Sequence, residues 1–142
     1  MSGPGGGIAP ELASVLDFLR QTLPFSELDI ATCERAAAGM TIAYHRRGEQ
    51  LVAAVEPAGL RILRAGAVDL RAADNKLLGR LGEGESFHIG RLNNGREAEV
   101  VATFIEDSLV YLLPDPVYQR LRASDRDFDR FFHSQRDRRL RR

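Results

Sequence analysis

The chain has 142 residues, 44% hydrophobic and 28% charged, which fits one globular domain with a single core and excludes a wholly disordered polymer. Twenty Lys and Arg balance twenty Asp and Glu, but residues 126–142 hold seven Arg against three Asp, so the remainder is acidic and offers no basic nucleic-acid surface. Apolar runs are strand-sized, the start lacks a signal-peptide pattern, and the lone Cys33 can form neither an intrachain disulfide nor a C-x-x-C metal site, so no membrane span and a cytoplasmic location are expected.

Residues 1–8 are Gly-rich and read as a disordered tail, with no Gly-Lys-Ser/Thr to make a phosphate loop. Residues 9–142 read as one domain. Helices are expected over 9–38. Leu12, Val15, Leu16, Leu19 and Leu23 share one helical face, and Pro24 ends that helix. Ser26, with Asp29 three residues on, predicts a capped second helix through about Ala38, closed by Gly39. Over 40–113 the period changes to short apolar or alternating runs. These are Thr41–His45, Gln50–Val55, Leu60–Arg64, Ala67–Arg71, Leu77–Leu81, Val100–Phe104 and Ser108–Leu112. Asp74-Asn75 reads as a hairpin turn. Seven short strands with tight turns and no helices between them predict an antiparallel β-roll or jelly roll. Pro114 and Pro116 open C-terminal helices over 114–142, broken near Ser124-Asp125.

One segment departs from the strand rhythm: residues 82–99, GEGESFHIGRLNNGREAE. A strand ends near Phe87, the next begins near Val100, and an insertion of this kind in a tight roll is where a ligand is held. Backbone N–H groups of a loop or short helix there would face an anion, and Arg91 and Arg96 would add bidentate donors.

Several runs in this order resemble cyclic-nucleotide-binding domains. Arg47-Gly48-Glu49-Gln50-Leu51 resembles their R-x-G-E-x-L turn, and Leu60 to Val68 resembles L-x-x-[IV]-x-x-G-x-V. Leu81 to Phe87 resembles the approach to their phosphate-binding cassette, and Glu106 to Pro114 their last strand. The resemblance is greatest to the N-terminal modules of bacterial signalling proteins that continue into cystathionine-β-synthase-type repeats and a nucleotidyltransferase-like region. It implies a β-roll flanked by helices and a regulatory ligand-sensing role. The implied ligand is a cyclic nucleotide or another small phosphate anion, with no cofactor.

The family cassette reads F-G-E-[LM]-x-L followed by P-R-x-A-x-V-x-A. Phe87 matches, His88 replaces the Gly, and Ile89 replaces the Glu that takes the ribose 2′-hydroxyl; Gly90, Arg91 and Leu92 follow. Aligned locally, Arg96 fills the phosphate slot; counted back from Glu106-Asp107, that slot falls on Ala98, and a two-residue shift leaves strand faces unchanged. The cassette is therefore a degenerate version of the family's.

Other features carry weaker signals. Glu83 and Glu85 lie in a Gly turn with no nucleophile or metal partner nearby, so no enzymatic centre is expected. His45, His88 and His133 lack metal-ligand spacing, and Cys33 reads as a buried small hydrophobe. Phe128, Phe131 and Phe132 share a helix face that either packs on the roll or forms an interaction face for a second copy or a neighbouring regulatory domain. The alternative to a sensor is thus a non-binding interaction or dimerisation module on the same roll. The terminal Arg cluster suits a helix C-terminus, and nucleic acid is the less favoured partner.

Overall fold

The apolar periodicity of the first segment forms α1 (Leu12–Leu19) in the computed structural model, which describes residues 11–89 and 100–140, the last seven of these by backbone only. Residues 1–8 of the expected tail lie outside the described residues. Val15 and Leu19 are buried, whereas Leu23 is exposed because α1 stops before reaching it. The hydroxyl of Thr22 donates to the Phe18 carbonyl at 2.7 Å and satisfies one of the terminal acceptors.

The second helix, α2 (Ile30–Ala38), begins later than Ser26. Residues Phe25–Glu27 instead form a short 3-10 turn, and Asp29 is the cap, its carboxylate accepting from the Thr32 N–H at 2.9 Å. The Thr32 side chain, and then its N–H, hold the Asp29 carboxyl below its ordinary pKa.

Eight strands follow: β1 (Thr41–His45), β2 (Gln50–Val52), β3 (Gly59–Ala65), β4 (Val68–Arg71), β5 (Leu77–Leu81), β6 (Ser86–Ile89), β7 (Val101–Phe104) and β8 (Ser108–Pro114). β6 lies outside the seven runs and is the strand expected to end near Phe87, extended to Ile89. β2 is shorter than its apolar run, because the chain turns back on itself through the Val55 and Glu56 N–H bonds to the Val52 carbonyl. The strands form two antiparallel four-stranded sheets, ordered β1-β8-β3-β6 and β2-β7-β4-β5. Asn75 takes positive φ, at 68°, in the β4–β5 turn, where the Asp74 carboxylate accepts from the Lys76 N–H. Gly66 is required at the β3–β4 turn: its φ is +102°, and a Cβ there would run into Ser108.

Strand alternation divides the interior in two. Between the sheets lie Leu63, Phe87, Ile89 and Val110 from the first sheet and Leu51, Val68, Leu70, Leu81, Ala102 and Phe104 from the second. On the outer face of the first sheet, Leu60, Ile62, Tyr111 and Leu113 meet the helices through Val15, Leu19, Phe25, Cys33 and Ala36. Two C-terminal helices, α3 (Asp115–Ser124) and α4 (Arg126–Leu140), complete that second core with Tyr118, Leu121, Phe128 and Phe132. Among the described residues no helix is long and apolar enough to cross a membrane.

Candidate functional site

β6 carries the first residues of the candidate site. It pairs antiparallel with β3, Phe87 opposite Arg61 and Ile89 opposite Gly59. Successive side chains of a strand face opposite ways, and β6 follows that rule. Phe87 and Ile89 point between the sheets and are buried there. His88 points outward toward α3: its Nε2 lies 2.8 Å from Asp115 Oδ1, and its ring lies 4.7 Å from the Tyr118 ring. The imidazole therefore packs against the C-terminal helices, on the opposite side of the sheet from Phe87 and Ile89. Gly90, Arg91, Leu92, Arg96 and Ala98 lie outside the described residues.

The other partners of His88 belong to the helical core. Asp115 opens α3; its backbone N–H donates to the Ala58 carbonyl at 3.1 Å and its Oδ1 accepts from the Gln119 amide at 3.2 Å. Tyr118 is buried edge-to-face against Phe128 and Phe132, and burial pushes its hydroxyl up to about 12. Phe128 and Phe132 are themselves buried, so two of the three residues expected to form an interaction face are inside the molecule. Phe131 remains partly buried at the edge of this core and lines an outer groove of about 840 Å³ with Asp17, Phe18, Gln21, Arg64 and Glu85.

The interior contains a charge that the sequence reading passed over. Arg61 is 3% exposed, in the middle of β3. Its neighbours Leu60 and Ile62 face the helices, so Arg61 faces the space between the sheets, on the same side as Leu63. The guanidinium donates to the Ile89 carbonyl at 3.3 Å and to the Pro57 carbonyl at 3.2 Å, and lies 3.7 Å from a Glu56 carboxylate oxygen. Burial lowers its pKa and Glu56 opposes that shift. No sequence signal singles it out, because β3 also carries Arg64 and charge does not tell an inward from an outward position.

The remaining candidate chemistry has structural roles. Glu85 accepts from the Gly82 N–H at 2.9 Å within its turn. Cys33 is buried and donates to the Phe25 carbonyl at 3.2 Å. His45 stacks on Phe104 at 4.4 Å and lies 3.0 Å from Glu49, which lowers the Glu49 pKa. Among the described residues, no three His, Cys, Asp or Glu side chains are grouped to hold a metal ion.

No protein-family model matches the chain, and no curated protein matches its sequence. Solved structures do. The regulatory domain of Toxoplasma gondii PKA with cAMP superposes with a TM-score of 0.73 at 14% identity, over 89% of this chain and 50% of that one. The sensor domain of the Pseudomonas aeruginosa transcriptional regulator DNR gives 0.69 at 14% identity, over 91% and 90%. The regulatory subunit of a cAMP-independent protein kinase A from Trypanosoma cruzi, bound to guanosine, gives 0.63 at 16% identity, over 89% and 50%. This chain spans about half the length of the two kinase regulatory chains. Identities this low carry the fold and nothing finer. Two four-stranded antiparallel sheets with helices packed on one outer face, superposed on these structures, give this chain the cyclic-nucleotide-binding fold.

Proposed function

We propose that this chain is a regulatory ligand-sensing domain that takes a cyclic nucleotide or another small phosphate anion at residues 87–98. The observation that supports this reading is the superposition on a cAMP-bound regulatory domain along nearly the whole chain. Phe87 and Ile89 would form the inner wall, and Arg91 and Arg96 would supply charge to the anion. Ile89 in place of a carboxylate removes the usual acceptor for a ribose hydroxyl, so affinity rests on shape and on the phosphate. The role is binding without turnover, inside a larger signalling protein of the kind that the sequence resemblance implies. The contact of His88 with Asp115 would couple the ligand segment to α3, the proposed output element. A second copy or a neighbouring domain docking on the C-terminal helices would have to use Phe131, since Phe128 and Phe132 are enclosed.

A ligand that prefers the native state stabilises it by about 2.7 kcal/mol at a hundredfold excess over Kd. For a chain of this size that is a rise in Tm on the order of 10 °C. Thermal unfolding with cyclic AMP, cyclic GMP and guanosine, the nucleotide recovered intact afterwards, tests the proposal. The expected result is a saturable rise with cyclic AMP or cyclic GMP, and a rise with guanosine alone, which carries no phosphate, rejects the anion reading. No rise at millimolar concentration rejects the nucleotide reading, and recovery of hydrolysed nucleotide rejects the role without turnover.

A further inference from the structure

Arg61 is the most deeply buried charged side chain among the described residues, yet its contacts are long for an enclosed cation. Arg80 holds Asp69 at 2.6 and 2.9 Å, and Arg122 holds Asp129 at 2.7 Å, both at or near the solvent boundary. Arg61, inside, has two carbonyls at 3.3 and 3.2 Å and one carboxylate oxygen at 3.7 Å. Charge-assisted bonds ordinarily close to 2.7–2.9 Å, and a buried cation needs close anionic partners to offset lost hydration. Arg71–Asp69 at 3.6 Å and Arg130–Asp127 at 3.9 Å are as loose, but those guanidinium groups reach solvent, whereas Arg61 is enclosed.

The position of this charge is informative. Across β3, Arg61 faces Phe87 on one side and Leu112 on the other, all three directed between the sheets. One of its bonds goes to the carbonyl of Ile89, the last residue before the chain leaves β6 for residues 90–99. An under-neutralised guanidinium thus stands inside the roll, beside the last residue of β6. We propose that Arg61 is the receptor for the ligand's anionic group, with Glu56 as the internal carboxylate that the ligand displaces. This inference rests on the reading that the roll takes an anionic ligand, and it assigns the phosphate contact to β3 rather than to an arginine of residues 90–99. Planar bidentate donors suit a phosphate or carboxylate.

Isothermal titration of the full chain with cyclic AMP, cyclic GMP and inorganic phosphate tests it, using Glu56→Gln, Arg61→Gln, Arg61→Lys and Arg96→Ala. Removing the competing carboxylate leaves Arg61 in place, so Glu56→Gln should bind the anion more tightly, by about threefold or more; a merely structural Arg61 would give no gain. Arg61→Gln should weaken binding about tenfold or more, and Arg61→Lys should recover only part, because an ammonium lacks the fork. If Arg61→Gln does not fold, the Glu56→Gln result decides alone. Nucleotide affinity unchanged or weakened in Glu56→Gln overturns the assignment while keeping the nucleotide reading, and so does loss of binding confined to Arg96→Ala. Phosphate binding that tightens in Glu56→Gln, with no nucleotide binding, keeps Arg61 as the anion receptor and overturns the nucleotide reading. No binding of any probe overturns both.

Discussion

Asp69 is buried on β4 and accepts both guanidinium bonds of Arg80, with Arg71 at 3.6 Å. The Arg80 bonds, then its charge and that of Arg71, hold the Asp69 carboxyl below its ordinary value. A carboxyl with a folded pKa below its unfolded one stabilises the fold above the unfolded pKa, and that contribution disappears as pH falls through the folded value. Asp107, held low mainly by the Arg47 N–H, acts in the same direction. The chain should therefore lose stability on acidification below about pH 4. Arg80→Ala should have a lower Tm at neutral pH, and its deficit against the parent should shrink below that point. A constant deficit from pH 7 to about pH 2.5 would show that the pair is electrostatically idle. At this scale the sequence was only partly legible. The run Leu60–Arg64 was read as a strand, but it holds both Arg61 and Arg64, and charge does not reveal which of them faces inward. Only the register with β6 and the helices on the other face settle that.

At the level of elements, Asp125 joins two helices that are far apart in sequence. One oxygen accepts from the Phe128 N–H at 3.0 Å and caps α4; the other accepts from the Thr32 hydroxyl on α2 at 3.2 Å. Asp125→Ala should cost about 1–2 kcal/mol in urea unfolding, and Asp125→Asn should recover most of the cap. Equal losses for both variants would place the effect outside capping. The break at Ser124-Asp125 was readable because an acidic residue before a new apolar stripe is a helix start. The start of α2 was not: Ser26 and Asp29 are both good caps, and the 3-10 turn after Pro24 decides in favour of the second. The strand expected to end near Phe87 runs on to Ile89, and its extent was hidden for a related reason. Four residues ending against an insertion give too short a pattern for alternation to register, and the strand exists because β3 supplies the ladder.

For the molecule as a whole, β3 and β8 contribute alternate side chains to both cores, so neither core can open without exposing the other. Unfolding should be a single transition. The chain has no Trp, and its two buried tyrosines, Tyr111 and Tyr118, belong to the helical core, so tyrosine emission follows that core while far-ultraviolet dichroism follows the sheets as well. The two signals should coincide, and Phe128→Ala should shift both together by about 3–5 kcal/mol. Separate midpoints would mean that the helices detach from an intact roll. The roll with flanking helices was readable from strand length, turn spacing and terminal helical stripes; the sharing of two strands between two cores was not, since it depends on sheet order. The alternation of β6 has a mechanical corollary. Sliding that strand by one position would bring an imidazole beside a guanidinium in the dry interior and press an isoleucine against a carboxylate outside. Slippage is therefore opposed at both surfaces, and the same register that keeps Ile89 inside holds His88 against the first turn of α3.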